Sequence, residues 1–384
     1  MTDAAKTAIM RIYDPPIVGL AEVYKMEKMK IAVVGTGNIC RSAHMPVYMK
    51  RDDVEVIACA DIDFPKAKAF AEKFNIPGVY SSVEELLANC KPDYVDVCTW
   101  PAAHAPVAIA AANAGCHVMC EKPICHNLED ALALKEAVER NGVKFMLAVP
   151  LRYQKSAVHA RELVDEGVLG DVYYGKTAYV RQRGIPGGWF SCTKYAGGGP
   201  IIDIGVHRID LAWYMMGCPK PVSVMATAVY KIGDYRDEPK VDPVTGKVSA
   251  TNDWAGAQVA DYKFDVEDSA SGVFRFENGA QLIFETAWSF NGPINNSTQI
   301  AGDKAGITLE PFKLYRADGK KLIEENIEGD FSGDFFANEI DHFIDCVRND
   351  KTPSSNIEQA VQLQMMLMGI YESSKAGREI KFTY

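Results

Sequence analysis

Positive charge is not in excess in this 384-residue chain. Lys plus Arg number 41 against 51 for Asp plus Glu, a net charge of -10. A surface for phosphate backbones or anionic lipid needs surplus cations, so nucleic acid and membrane partners are not expected. Long apolar runs are missing too, since none reaches the roughly 18 residues that a membrane span requires. The first 28 residues hold Arg11, two prolines and scattered acids without a continuous apolar stretch. That is not the pattern of a secretory signal, and a cytoplasmic protein is the expectation. Cysteine is sparse, ten in all, and several sit in strand-like runs such as VIACA and VDVC, which points to reduced, buried thiols rather than disulfides. Cys116, Cys120, Cys125 and His126 cluster, but their spacing lacks a second pair and follows a buried-strand pattern, so no metal is expected.

What is present is a repeating unit. Strand candidates fall at 30–35, 54–60, 78–80, 94–98, 117–120 and 144–149, with helical patterns near 38–50, 64–74, 83–89, 104–114 and 128–141. Near-continuous apolar strands separated by helices imply a parallel sheet covered on both faces. The expectation is an α/β chain whose N-terminal half, 29–150, is a doubly wound Rossmann sheet. Residues 1–28 form an extension outside this scheme. After Pro150 the rhythm changes: a helix near 155–166, a strand near 170–183, a glycine-rich loop and an apolar helix at 200–216. Strand patterns run from about 221 to 325, broken by a polar loop near 233–255, and helices near 334–349 and 357–376 follow. Strands in succession predict an α+β second domain, 151–384, with a large, mostly antiparallel open sheet. The exposed face of such a sheet suits a homodimer or homotetramer.

Three sets of residues carry chemistry. Gly35-Thr36-Gly37-Asn38-Ile39-Cys40 follows the first strand and opens a helix, the setting in which a GxGxx turn cradles a pyrophosphate at a helix N-terminus. Cys40 stands where a third glycine is usual. Asp61 ends the second strand at the distance expected of the acid on the adenosine ribose, which favours NAD over NADP. Glu121-Lys122-Pro123 follows the fifth strand, at the carboxyl edge where open α/β sheets bind ligands. Finally, Gly197-Gly198-Gly199-Pro200 leads into IIDIGVHRIDLAWYMMG. There Asp203, His207 and Asp210 form a polar stripe on an apolar helix, and buried polar groups are costly unless paired.

With these motifs the sequence resembles the Gfo/Idh/MocA oxidoreductases from about Lys30 onward. The matching features are the GxGxx turn, Thr99 to His104, Glu121-Lys122-Pro123, GGGPIIDIGVH at 197–207 and Tyr371-Glu372-Ser373-Ser374. Cys40 and Trp100, the latter where proline is common, depart from the pattern. The resemblance implies that Lys122, Asp203 and His207 are the catalytic lysine, aspartate and histidine. It also implies NAD contacts from Gly35, Gly37, Asn38, Ile39, Asp61, Ile62, Thr99, Trp100, His104, Glu121 and Lys122. Oxidising a secondary alcohol needs a base near neutral pH, which suits His207, while the Lys122 ammonium would steady a developing alkoxide. Asp203 would orient the imidazole or hold a neighbouring hydroxyl. Arg152, Arg183, Trp189 and Lys194 are candidate contacts to a polyhydroxylated ring, and a pyranose, its glycoside (oxidised at C3) or an inositol is the expected substrate. An NAD-dependent glycosidase using transient oxidation, or a non-catalytic sugar or NAD sensor, are the competing classes.

Overall fold

The computed structural model describes residues 27–233, 240–241, 248–249, 261 and 263–384. Most of the expected N-terminal extension and most of the polar loop near 233–255 lie outside them. Six strands open the fold: β1 (Met29–Val34), β2 (Val54–Ala60), β3 (Gly78–Tyr80), β4 (Tyr94–Val97), β5 (His117–Glu121) and β6 (Phe145–Ala148). All pair in parallel, in the order β3-β2-β1-β4-β5-β6, the strand order of a doubly wound dinucleotide fold. Ile31, Ala32 and Val33 are fully buried, as are Val95 and Val97, because helices cover both faces. The helices start where the sequence supplies caps: Asp63 accepts from Lys66 N, Ser82 from Glu85 N and Asn127 from Asp130 N.

The chain order reverses between β1 and β4, and the first loop rises there. Gly35 has φ 93°, and a Cβ at this position would lie 2.6 Å from the backbone of Cys98, so no other residue fits. The helix expected at 38–50 opens with a π-helical turn, Cys40–His44, before the α-helix Met45–Tyr48. Cys40 is completely buried in that turn; its wider spiral makes room for a thiol in a glycine's place.

The second sheet is built from β7 (Val172–Val180), β8 (Pro221–Val229), β11 (Ser269–Phe276), β12 (Gln281–Ala287), β13 (Asn295–Gly302), β14 (Ala305–Leu309), β15 (Phe312–Asp318), β16 (Lys321–Asn326) and β17 (Ile380–Lys381); β9 (Lys240–Val241) and β10 (Val248–Ser249) pair separately. Its order is β16-β15-β14-β13-β7-β12-β11-β8-β17, antiparallel except for the parallel pair β7–β12. Val224, Phe274, Leu282, Gly175 and Ile300 lie in register across five strands and are all buried. The alternate row, Met225, Val273, Ile283, Lys176 and Gln299, has no buried member. One face is thus covered, by helices that include Val206–Met215 and Ile357–Ala376, while among the described residues this row of the other face is open; farther along the same face Ala178, Val180 and Ala287 are buried together. The helix Phe335–Arg348 packs back on the first sheet: Ile340, Phe343 and Ile344 share a core with Ile31 and Val33. Among the described residues no helix is long and apolar enough to cross a membrane.

Candidate active site

Lys122 stands just past the end of β5. Upstream, Glu121 Oε2 accepts the Lys122 N–H at 3.1 Å. Downstream, His104 Nδ1 lies 2.7 Å from Pro123 O, and its Nε2 lies 3.0 Å from Thr99 O. From this braced segment the lysine reaches across to the second half of the chain. Its Nζ donates to Asp203 O at 2.7 Å and approaches Asp203 Oδ1 at 3.4 Å. Both side chains are about one-seventh exposed, so the pair is partly withdrawn from water but reachable.

The helix bearing Asp203 is itself held at its start by a residue not singled out in the sequence. Glu267 is fully buried, and its two oxygens accept Gly199 N and Ile201 N, each at 3.0 Å, while Tyr371 OH donates to it at 3.0 Å. A carboxylate there complements the positive end of the helix. Trp288, also missed, donates its indole N–H to Asp203 Oδ2 at 2.9 Å. No local motif marks either residue, since each acts by a contact between distant segments.

The expected stripe Asp203–His207–Asp210 divides in three. Asp203 lies in a π-helical turn, Ile201–Gly205, and His207 in the α-helix that follows. The carboxylate of Asp203 goes to Lys122 and Trp288 rather than to the imidazole. His207 keeps a buried Nδ1 without a partner. Burial first, then the charges of Lys122, Arg208 and Arg181, hold its pKa well below the usual 6.5, so the ring is neutral near pH 7.

Asp210 and Arg152 correct another expectation. Arg152 was expected at the substrate or cofactor; instead its guanidinium is buried, donating to both oxygens of Asp210 at 2.8 and 2.6 Å and to Ser354 O and Gln359 Oε1. Its donors are spent inside the protein, joining the start of the second half to the chain just before the last long helix and to that helix's first turn. Arg183 turns to Asn291 Oδ1 at 2.8 Å, and Trp189 stacks on Phe190 with ring centroids 3.7 Å apart. Lys194 and Tyr195 both donate to Asp261, at 2.5 and 2.6 Å. The Tyr195 ring meets Trp100 edge-on at 5.4 Å, which links the two halves beside Thr99. Arg181, two residues before Arg183, lies over the Tyr179 ring and donates to its hydroxyl at 3.0 Å.

At the nucleotide end, Asp61 Oδ2 accepts Thr36 N, Thr36 Oγ1 and Lys66 Nζ at 2.8–2.9 Å, and Oδ1 accepts Asp63 N at 3.0 Å. Burial raises its pKa, but Lys66 and the other donors outweigh that and keep it below the ordinary value. Asp61 does not cap the next helix; Asp63 does. Ile62 is 75 % exposed at the mouth, and Asn38 is exposed on the loop. The close approach at Gly35, the open space over Gly37 and the ionised Asp61 fit a dinucleotide. Among the described residues, His44, Asp96 and Cys98 bring three ligand-type atoms within 4.8 Å, but both nitrogens of that imidazole already face carboxylates.

A parallel nucleotide-binding sheet joined to an open, mostly antiparallel one, with an acid–lysine pair where they meet, defines a two-domain oxidoreductase class. The chain belongs to the GFO/IDH/MocA family: residues 29–149 match its oxidoreductase, NAD-binding Rossmann-fold domain, and residues 157–308 match its C-terminal domain. It is 30 % identical over 356 residues to D-glucoside 3-dehydrogenase of Escherichia coli K12, covering 92 % of this chain and 97 % of that one. Its fold is similar to that of an oxidoreductase domain protein from Kribbella flavida, with TM-score 0.79, 23 % identity and coverage of 94 % and 100 %. It is also similar to levoglucosan dehydrogenase in complex with NADH and L-sorbose, with TM-score 0.78, 21 % identity and coverage of 93 % and 100 %.

Proposed function

We propose that this protein is an NAD-dependent dehydrogenase that oxidises a secondary hydroxyl of a pyranose or its glycoside, with C3 of a glucoside the leading candidate. The observation that carries the reading is the Lys122–Asp203 pair beside a neutral His207 whose buried Nδ1 has no partner, at the carboxyl edge of the nucleotide-binding sheet. The likeness to D-glucoside 3-dehydrogenase over nearly the whole chain supports the choice of substrate.

The residues divide the work as follows. The substrate hydroxyl docks against the Lys122 ammonium, which donates to the oxygen and stabilises the charge that gathers there. His207, kept neutral by its surroundings, accepts the hydroxyl proton. Bound NAD supplies the hydride acceptor, at the C4 carbon of its nicotinamide ring. Asp203 holds the lysine and, with Trp288, fixes the angle from which it approaches. Asp61 takes the hydroxyls of the adenosine ribose and disfavours a 2′-phosphate, so NAD is preferred over NADP. Gly35, Gly37, Asn38, Ile39, Ile62, Thr99 and Trp100 line the nucleotide path, while His104 and Glu121 hold the backbone around Lys122. Arg183, Trp189 and Lys194 border the sugar side. The open sheet face is the surface through which copies of the chain assemble as a dimer or tetramer.

Incubation with NAD and a panel of glucosides, free pyranoses and inositols tests this. Lasting NADH formation with a pyranose or glucoside is expected. Glycoside cleavage without NADH would replace the reading with a glycosidase, and binding without turnover would replace it with a sensor.

A further inference from the structure

The first half holds a buried polar cluster that the reaction as derived leaves idle. His44, on the π turn after the glycine loop, is completely buried. Its Nδ1 is 2.8 Å from Asp96 Oδ2, and its Nε2 is 3.2 Å from Glu121 Oε1. Tyr48 OH donates to Asp96 Oδ2 at 2.8 Å, and the Cys98 thiol lies 3.4 Å from Asp96 Oδ1. Burial opposes charge on the imidazole, but Asp96 and then Glu121 prevail and raise its pKa well above the usual value. It is an imidazolium donating in two directions. Glu339, also fully buried, is kept neutral: burial first, then Glu121, lift its pKa well above the carboxylate range.

The two arms of His44 end in different places. The Nδ1 arm ties the π turn to β4. The Nε2 arm ends on Glu121, whose other oxygen holds the Lys122 N–H. We propose that His44 is a positioning residue for Lys122, fixing through Glu121 the peptide from which the lysine reaches Asp203. The proposal rests on the reading that Lys122 acts at the substrate oxygen. His104 braces the far side of the same lysine at Pro123 O, so without His44 the segment is held at one end only.

Amide variants separate the arms. The Asn amide nitrogen falls near Nδ1 and the Gln amide nitrogen near Nε2, so His44→Asn keeps the tie to β4 and His44→Gln keeps the tie to Glu121. On the full chain, His44→Asn is expected to lower kcat roughly 10- to 100-fold, the scale of a misplaced reacting group, with sugar KM and NADH affinity within about twofold. His44→Gln is expected to stay within about threefold of the unaltered protein. Crystal structures of both variants supply a reading independent of turnover: the Lys122–Asp203 contact is expected to persist with Gln and be lost with Asn. Equal losses in both variants, or the contact intact in the Asn variant, would overturn the proposal. Should His44→Asn not fold, Glu121→Ala removes the same arm and must reproduce the fall in kcat; full kcat there refutes it. An unaltered protein that oxidises no sugar sinks the functional reading instead, and the crystal comparison still decides the positioning.

Discussion

Replacing His207 with alanine separates chemistry from folding unusually well. The imidazole Nδ1 has no hydrogen-bond partner, so its removal breaks no bond at that atom, and the variant is expected to melt within a few degrees of the parent. Losing a general base costs about 10²–10⁴-fold in rate, or roughly 3–5 kcal/mol of transition-state stabilisation. Initial rates of NADH formation at saturating sugar should therefore fall by that factor, with NADH affinity unchanged. The pH profile adds a second check. A base with a depressed pKa stays competent below pH 6.5, so the acid limb of kcat/KM for the parent lies below that value. Arg181→Gln removes one of the cations that depress it, and the limb should move upward. Full turnover of His207→Ala from about pH 6 to 9 would refute the assignment and leave Lys122 as the only base in reach.

Lys66 sits on the carboxylate that reads the ribose, so Lys66→Ala should widen the preference for NAD over NADP and Asp61→Ala should narrow it; tighter NADPH than NADH binding by the unaltered protein would contradict both. Asp203→Asn keeps the shape of the side chain, so a fall in kcat of tenfold or more with an unchanged melting temperature would identify its charge as the working feature. Arg152→Ala strands Asp210 without its partner and should cost about 3–5 kcal/mol in denaturant unfolding, and a stable variant with a raised sugar KM would return Arg152 to the binding site. Val273→Arg, in the open row of the second sheet, should yield monomers in light scattering where the parent shows dimers or tetramers.

The alternation of strands and helices was plain in the first half because the strands β1, β4 and β6 are buried almost throughout and read as largely apolar runs between helical patterns. The glycine turn, Asp61 and Lys122 were legible because their positions follow from chain order around a parallel sheet. The fate of Arg152 was not, because its partner Asp210 sat in a stripe that suggested catalysis, and only packing reveals that the ion pair is closed off inside the protein. That the Asp203 carboxylate turns to Lys122 and Trp288 instead of His207 was hidden for a different reason: both partners lie on other elements, and helical periodicity reports only neighbours along one helix. Glu267 and Trp288 lie far along the chain from the residues they hold, where spacing rules carry no information.

The parallel pairing of β7 with β12 also bears on how the chain becomes a protein. β7 ends at Val180, and both of its neighbours, β12 and β13, are synthesised about a hundred residues later. The centre of the second sheet therefore waits with two bare edges while its partners emerge, the long-range closure that slows folding and invites wrong pairing. β8 waits longer still, since Ile380–Lys381, which cover its outer edge, follow it by about 150 residues. The nucleotide-binding sheet, assembled from strands close in sequence, can pair before either event, and Ile340, Phe343 and Ile344 complete its core only when the helix Phe335–Arg348 arrives.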